Sequence, residues 1–211
     1  VTALLADRWP TAHITGLDNS PEMLQRARRD HEGPTPGGGR LDFAYADARD
    51  WAPPPGEPYD LIFSNAALHW VPNHPDSFPA WLDGLVPGGT LAFQVPGNFA
   101  APSHTLMRDL AGSGRWKDRL AGVLRHAEQV LEPTDYLHRL VALGCAVDVW
   151  ETTYLHLLSG VDPVLDWVRG TGLRPVLGAL ADDPEATEAF VGQYRELLRA
   201  AYPATEHGTV L

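Results

Sequence analysis

Residues 60–71 read D-L-I-F-S-N-A-A-L-H-W-V, and this stretch decides how the rest of the chain is organised. Leu61, Ile62 and Phe63 form an apolar run too short for a helix and unbroken enough for a strand buried on both faces. Ser64 and Asn65 close it with polar groups, and the chain then runs on toward a proline-rich loop. In an open parallel sheet, ligands bind beyond the carboxyl ends of the strands, so Asn65, His69 and Trp70 are expected to line a site. Two earlier segments end the same way, I-T-G-L-D at 14–18 and F-A-Y-A-D at 43–47. Three strands with polar tips on one side predict a nucleotide-like ligand.

Upstream, residues 1–9 read as the last turns of an amphipathic helix stopped at Trp9-Pro10. A strand is expected over 11–17. Ser20 then serves as N-cap with Pro21 at the first helical position and Glu22 in the first turn, which opens a helix over 22–30. G-P-T-P-G-G-G at 33–39 reads as a flexible surface loop, followed by a strand over 41–46. Downstream, a helix around 80–85, a tight turn at 86–89 and a strand over 90–95 continue the alternation. That rhythm predicts an α/β fold with a doubly wound parallel sheet. Beyond residue 97 it changes. Helices are expected over 102–110 and 136–143, a long strand over 146–157, and helices over 163–169 and 185–202.

The composition excludes several function classes. A formal charge of −11 over 211 residues argues against a broad nucleic-acid surface, which needs clustered Lys and Arg. It leaves room for an anionic small substrate held by a few arginines in a cleft. Lys117 is the one lysine; the bias toward arginine, with 19 prolines and 20 glycines, reads as a GC-rich genome. The lone Cys145 precludes an internal disulfide framework and a cysteine-based zinc site, and reads as a small packing residue. No apolar run approaches the roughly 20 residues needed to cross a bilayer, and no signal peptide is visible. The expectation is a cytoplasmic monomer with no membrane partner.

Asp18 and Asp47 are the most informative tips. A carboxylate ending a strand of a nucleotide-binding sheet accepts from ribose hydroxyls, and one on the neighbouring strand can accept from an adenine amine. Each can also simply cap the turn that follows it. Trp70 can pack or line the site, and His69 can serve as a contact or a base. His69 and His74 find no third residue at metal-ligand spacing, so no metal is expected. No G-x-S-x-G elbow and no phosphate-binding G-x-x-x-x-G-K-[ST] loop occurs.

H-I-T-G-L-D-N-S-P-E-M-L (13–24), F-A-Y-A-D-A-R-D-W (43–51), D-L-I-F-S-N-A-A-L-H-W-V-P (60–72) and V-P-G-G-T-L-A-F-Q-V-P (86–96) resemble the class I S-adenosylmethionine-dependent methyltransferases. N-F-A-A-P-S-H-T-L-M-R (98–108), G-C-A-V-D-V-W-E-T-T-Y (144–154) and D-W-V-R-G-T-G-L-R-P (166–175) resemble the trans-aconitate 2-methyltransferase branch. The resemblance spans essentially the whole chain. It implies a Rossmann-like sheet, mostly parallel with an antiparallel edge, plus a helical cap. The core would occupy 1–157 with a helical insertion at about 98–143, the cap 158–205, and the start of a final strand 206–211. It also implies a first strand with a D-x-G-C-G-x-G loop and a last strand beyond Val210-Leu211, to which nothing in these 211 residues corresponds: either the sequence is a fragment of a longer gene product, or its sheet lacks its first and last strands.

Carried over residue by residue, Asp18 would hold the ribose with Asn19 beside it. Asp47 and Ala48 would meet the adenine, and Asn65 the methionine part of S-adenosylmethionine. His69 and Trp70 would stand near the transferred methyl and the substrate. Tyr154, Trp167 and Arg174 would complete a pocket for a small tricarboxylate, with Arg115, Arg119 and Arg125 as lesser candidates for clamping it. The implied reaction esterifies one carboxylate of trans-aconitate by proximity and alignment, with no catalytic base. Three alternatives stand beside it: another small acceptor, a non-catalytic remnant that binds a partner, and a nicotinamide-dependent oxidoreductase. The P-G-G turn and the Asn65 tip favour the methyltransferase over the last.

Overall fold

The computed structural model describes residues 1–124 and 130–211. In chain order these form α1 (Thr2–Arg8), β1 (His13–Asp18), α2 (Pro21–His31), β2 (Gly33–Pro34), β3 (Arg40–Tyr45) and β4 (Tyr59–Asn65). Then come α3 (Phe78–Asp83), β5 (Leu85–Gln94), α4 (Pro102–Ala111), α5 (Pro133–Ala142) and β6 (Leu157–Leu158). The chain closes with α6 (Pro163–Arg169), α7 (Arg174–Ala179), α8 (Pro184–Ala201) and β7 (Thr209–Val210). It divides into two compact units, residues 1–95 with 139–145 and residues 96–138 with 146–211.

The first unit carries the parallel strands. β1 pairs with β3 in parallel, Asp18 opposite Tyr45, and β4 pairs with β5 in parallel, Asn65 opposite Gln94. These are two separate sheets, β1-β3-β2 and β4-β5, with no strand joining β1 to β4 among the described residues. Local chemistry sets the elements as anticipated. Ser20 Oγ accepts from the Met23 N–H at 3.3 Å, and Pro21 opens α2, whose last turn carries Arg28, Arg29 and His31. An aromatic cluster backs β4 and β5. Phe78 is fully buried against Phe93 and Trp81, and the Trp81 indole N–H donates to the Trp51 carbonyl at 3.0 Å.

The surface loop expected at 33–39 is found as an exposed turn over 36–38, but the segment is anchored to the sheet at both its ends. β2 pairs antiparallel with β3, and Gly39 N–H donates to the Pro10 carbonyl at 3.0 Å. A Cβ on Gly39 would lie 2.2 Å from the Ala12 carbonyl oxygen, so glycine stands there because backbone passes against backbone. The turn expected at 86–89 is an irregularity inside β5, where the register slips between Tyr59 and Leu61.

The second unit is helical around one apolar core. Met107, Ala111, Trp116 and Leu120 share it with Leu173, Val176, Leu180, Phe190 and Tyr194 of the later helices. Residues 96–138 therefore pack with the C-terminal helices, so the division differs from a 1–157 core and a 158–205 cap. The strand expected over 146–157 is also corrected, since regular pairing reaches only Leu157 and Leu158, opposite Val210 and Thr209. One further pair joins His156 and Leu211 through two hydrogen bonds of 2.9 Å. Val147 and Val149 do alternate with exposed Asp148 and Trp150. Alternation marks a face, however, and a strand needs a neighbour to bond with; none reaches 146–155 among the described residues.

Candidate active site

The tips of β1 and β3 are brought together by their parallel register. The Asn19 amide donates to Asp47 Oδ2 at 3.2 Å, bridging one tip to the next. Asp18 Oδ1 accepts the Ser20 N–H at 2.8 Å, which is the turn-capping role foreseen for it. Asp18 Oδ2 meets no donor among the described residues, so one carboxylate oxygen stays available at a half-buried tip. A ribose hydroxyl pair is a chemically suitable donor for that oxygen, and in this respect the tip fits an adenosine-bearing cofactor.

Asp47 is engaged more heavily. Its Oδ1 accepts from Arg49 backbone N–H at 3.0 Å and from Arg49 Nε at 2.9 Å, and Arg49 Nη2 reaches Oδ2 at 2.5 Å. The Arg49 side chain, then its backbone N–H and the Asn19 amide, hold the Asp47 carboxyl well below the usual carboxylate range. Ala48 lies half-buried between the two partners. Arg49 escaped the sequence reading. Its signal was the D-x-R spacing, which places a guanidinium fork within reach of the carboxylate that caps its own turn.

Asn65 sits exposed at the end of β4, and no hydrogen bond joins it to the Asp18 and Asp47 tips among the described residues. The next residue, Ala66, has φ = 50°, and its N–H donates to the Gln94 carbonyl at 3.0 Å. A left-handed alanine is costly backbone, and such strain gathers where a chain must turn sharply at a site. The 3₁₀ turn Leu68–Trp70 follows, with His69 buried, Trp70 57% exposed, and their rings 5.1 Å apart.

Of the predicted substrate residues, His69 and Trp70 lie in the first unit, and Tyr154, Trp167 and Arg174 in the second. The Trp167 ring packs at a 39° tilt against His156 with centres 4.4 Å apart, and Tyr154 is 74% exposed on the unpaired segment. Arg174 opens α7, exposed and without an ion partner among the described residues. Arg119 is paired to Asp183 at 2.8 Å, and the Arg115 guanidinium lies 4.3 Å over the Trp116 ring. Both are thereby committed to neighbours. Arg125 lies outside the described residues. Among the described residues no His, Cys, Asp and Glu side chains gather as a metal site, and no helix is long and apolar enough to cross a membrane.

Residues 1–89 match a methyltransferase domain family. A trans-aconitate 2-methyltransferase of Streptomyces coelicolor is 69% identical over 209 residues, 99% of this chain and 68% of that protein. One of Streptomyces avermitilis is 70% identical over 210 residues, 100% of this chain and 76% of that protein. A solved S-adenosylmethionine-dependent methyltransferase from Mesorhizobium loti aligns over 82% of this chain and 76% of that one, at 24% identity and a TM-score of 0.42.

Proposed function

The chain belongs to the trans-aconitate 2-methyltransferase family of S-adenosylmethionine-dependent methyltransferases, and from that premise we propose that it methylates one carboxylate of trans-aconitate to the monomethyl ester. The observation that carries this reading is identity of 69–70% running through the helical unit as well as the strand tips. Bound S-adenosylmethionine supplies an electrophilic methyl on a sulfonium. Asp18 holds the ribose through its free oxygen with Asn19 beside it, Asp47 and Ala48 face the adenine, and Asn65 faces the methionine part.

The acceptor needs no general base. A carboxylic acid with a pKa near 4 is already ionised at neutral pH, so the residues have only to align it and hold its other charges. That leaves His69 and Trp70 as walls of the transfer site. Arg174 is the clamp for a free carboxylate: its guanidinium fork is uncommitted, unlike those of Arg115 and Arg119. Tyr154 and Trp167 offer aromatic surface to the carbon skeleton. The proposed enzyme is a cytoplasmic monomer acting on a small molecule.

Calorimetric titration of the 211-residue chain with S-adenosylhomocysteine, followed by a methyl-transfer assay with trans-aconitate, tests this. Micromolar binding and ester formation are expected. Binding without transfer to trans-aconitate, but with transfer to another acid, would replace the acceptor; absence of binding would make the chain non-catalytic. Arg174→Ala should raise KM for trans-aconitate while leaving cofactor affinity nearly unchanged. Equal losses for both ligands would assign Arg174 to the fold.

A further inference from the structure

Asp47 is saturated by its own chain. Two carboxylate oxygens offer about four lone-pair positions, and here Arg49 backbone N–H, Arg49 Nε, Arg49 Nη2 and Asn19 Nδ2 take them all. An adenine amine therefore finds no free acceptor on Asp47 unless one of these donors leaves. The Arg49 backbone N–H is fixed by the turn, in which the Asp50 and Trp51 N–H groups both donate to the Asp47 carbonyl. The exposed Asn19 amide contributes one neutral bond of 3.2 Å, to Oδ2 alone. The Arg49 side chain is 63% exposed while that of Asp47 is 16% exposed. The guanidinium bonds both oxygens and is largely in water, so its departure is the one that frees an acceptor position on each of them.

We infer that the Arg49 guanidinium is an internal competitor for the adenine end of the cofactor, occupying the Asp47 carboxylate in the free protein and yielding it when the adenine amine arrives. The inference rests on the proposed role of Asp47. Affinity for the cofactor is then reduced by the fraction of molecules in which the fork is closed. The guanidinium side of this pair is exposed, which keeps the lock weak, so deleting it should tighten binding about two- to five-fold. The sign separates this role from that of a gripping residue, whose removal would weaken binding.

The test titrates wild-type and Arg49→Ala chains with S-adenosylhomocysteine and with its analogue bearing hydrogen in place of the adenine amino group. Arg49→Ala should bind S-adenosylhomocysteine more tightly and the analogue no differently, since without the amine there is nothing to compete for Asp47. Weaker or unchanged binding of S-adenosylhomocysteine by Arg49→Ala overturns the inference, as does equal tightening for both ligands. Should the folded wild-type chain bind neither ligand, the adenosine-site reading fails first and the inference with it. Circular dichroism on both proteins distinguishes that result from loss of fold.

Discussion

The two units hold themselves together differently. In the second, Leu173, Val176, Leu180, Phe190 and Tyr194 are fully buried, and the Trp116 and Phe190 rings meet edge to face 5.2 Å apart. In the first, the parallel strands carry apolar side chains into solvent: Leu17 and Phe63 are each 42% exposed and Tyr45 is 64% exposed. Parallel strands are ordinarily covered on both faces. Here β1, β3 and β4 combine register and backbone hydrogen bonds with buried contacts from Leu24, Leu41, Leu68, Val71 and the Phe78–Trp81 cluster. Most of the fully buried large side chains thus gather in the helical unit, whereas the residues proposed to bind the cofactor stand on strands whose apolar faces are partly exposed.

Phe190→Ala should produce the largest effect, about 3–5 kcal/mol from a cavity in the second unit. Denaturant unfolding measures it, and a loss near the level of a surface change would erase the contrast between the units. Asp18→Ala should cost about 3 kcal/mol of S-adenosylhomocysteine affinity, for two charge-assisted hydrogen bonds. Its unfolding midpoint should move little, because the lost internal contact is one turn cap. A Phe190→Ala-sized destabilisation would mean that the tip is part of the framework.

A smaller effect comes from pH. Burial pushes the His74 imidazole below its ordinary 6.5, with the Val71 carbonyl, 3.2 Å from Nδ1, pulling the other way. As pH falls through that value the unfolded chain takes up a proton that folded His74 resists. Stability of the first unit is therefore full above about pH 6.5 and declines below it. Unfolding followed from about pH 7.5 down to about pH 5.5 should show this decline, with a shallower slope in His74→Gln; equal slopes would remove His74 as its source. Arg119→Ala should have the smallest effect, leaving KM for trans-aconitate unchanged, because Arg119 is spent on exposed Asp183. A raised KM would return Arg119 to the acceptor pocket.

Wherever a residue's partner lies within a few positions, the sequence was sufficient. The cap at Ser20, the opening proline of α2, the turn cap at Asp18 and the strand at β4 follow from local rules and are found in place, although Phe63, 42% exposed, shows that β4 is not buried on both faces as expected. Helices α6 and α8 are equally legible, since 3.6-residue periodicity states both the element and its buried face. The failures share a cause. Residues 146–156 carry the strand pattern without the strand, and 33–39 carry the composition of a free loop while packing against Pro10 and Ala12. Helix α7 (Arg174–Ala179) has no counterpart among the elements expected from the sequence.

The sequence by itself thus determined the family, the α/β class, the direction of the strand tips and the identity of the carboxylates on them. Tertiary structure alone decided which strands have neighbours, which arginines are already spent, and that Asp47 is filled by Arg49. Propensity and periodicity are properties of a segment. A hydrogen-bond ladder, an ion pair across 64 positions such as Arg119 with Asp183, and the saturation of a carboxylate are set by what else arrives at the same place.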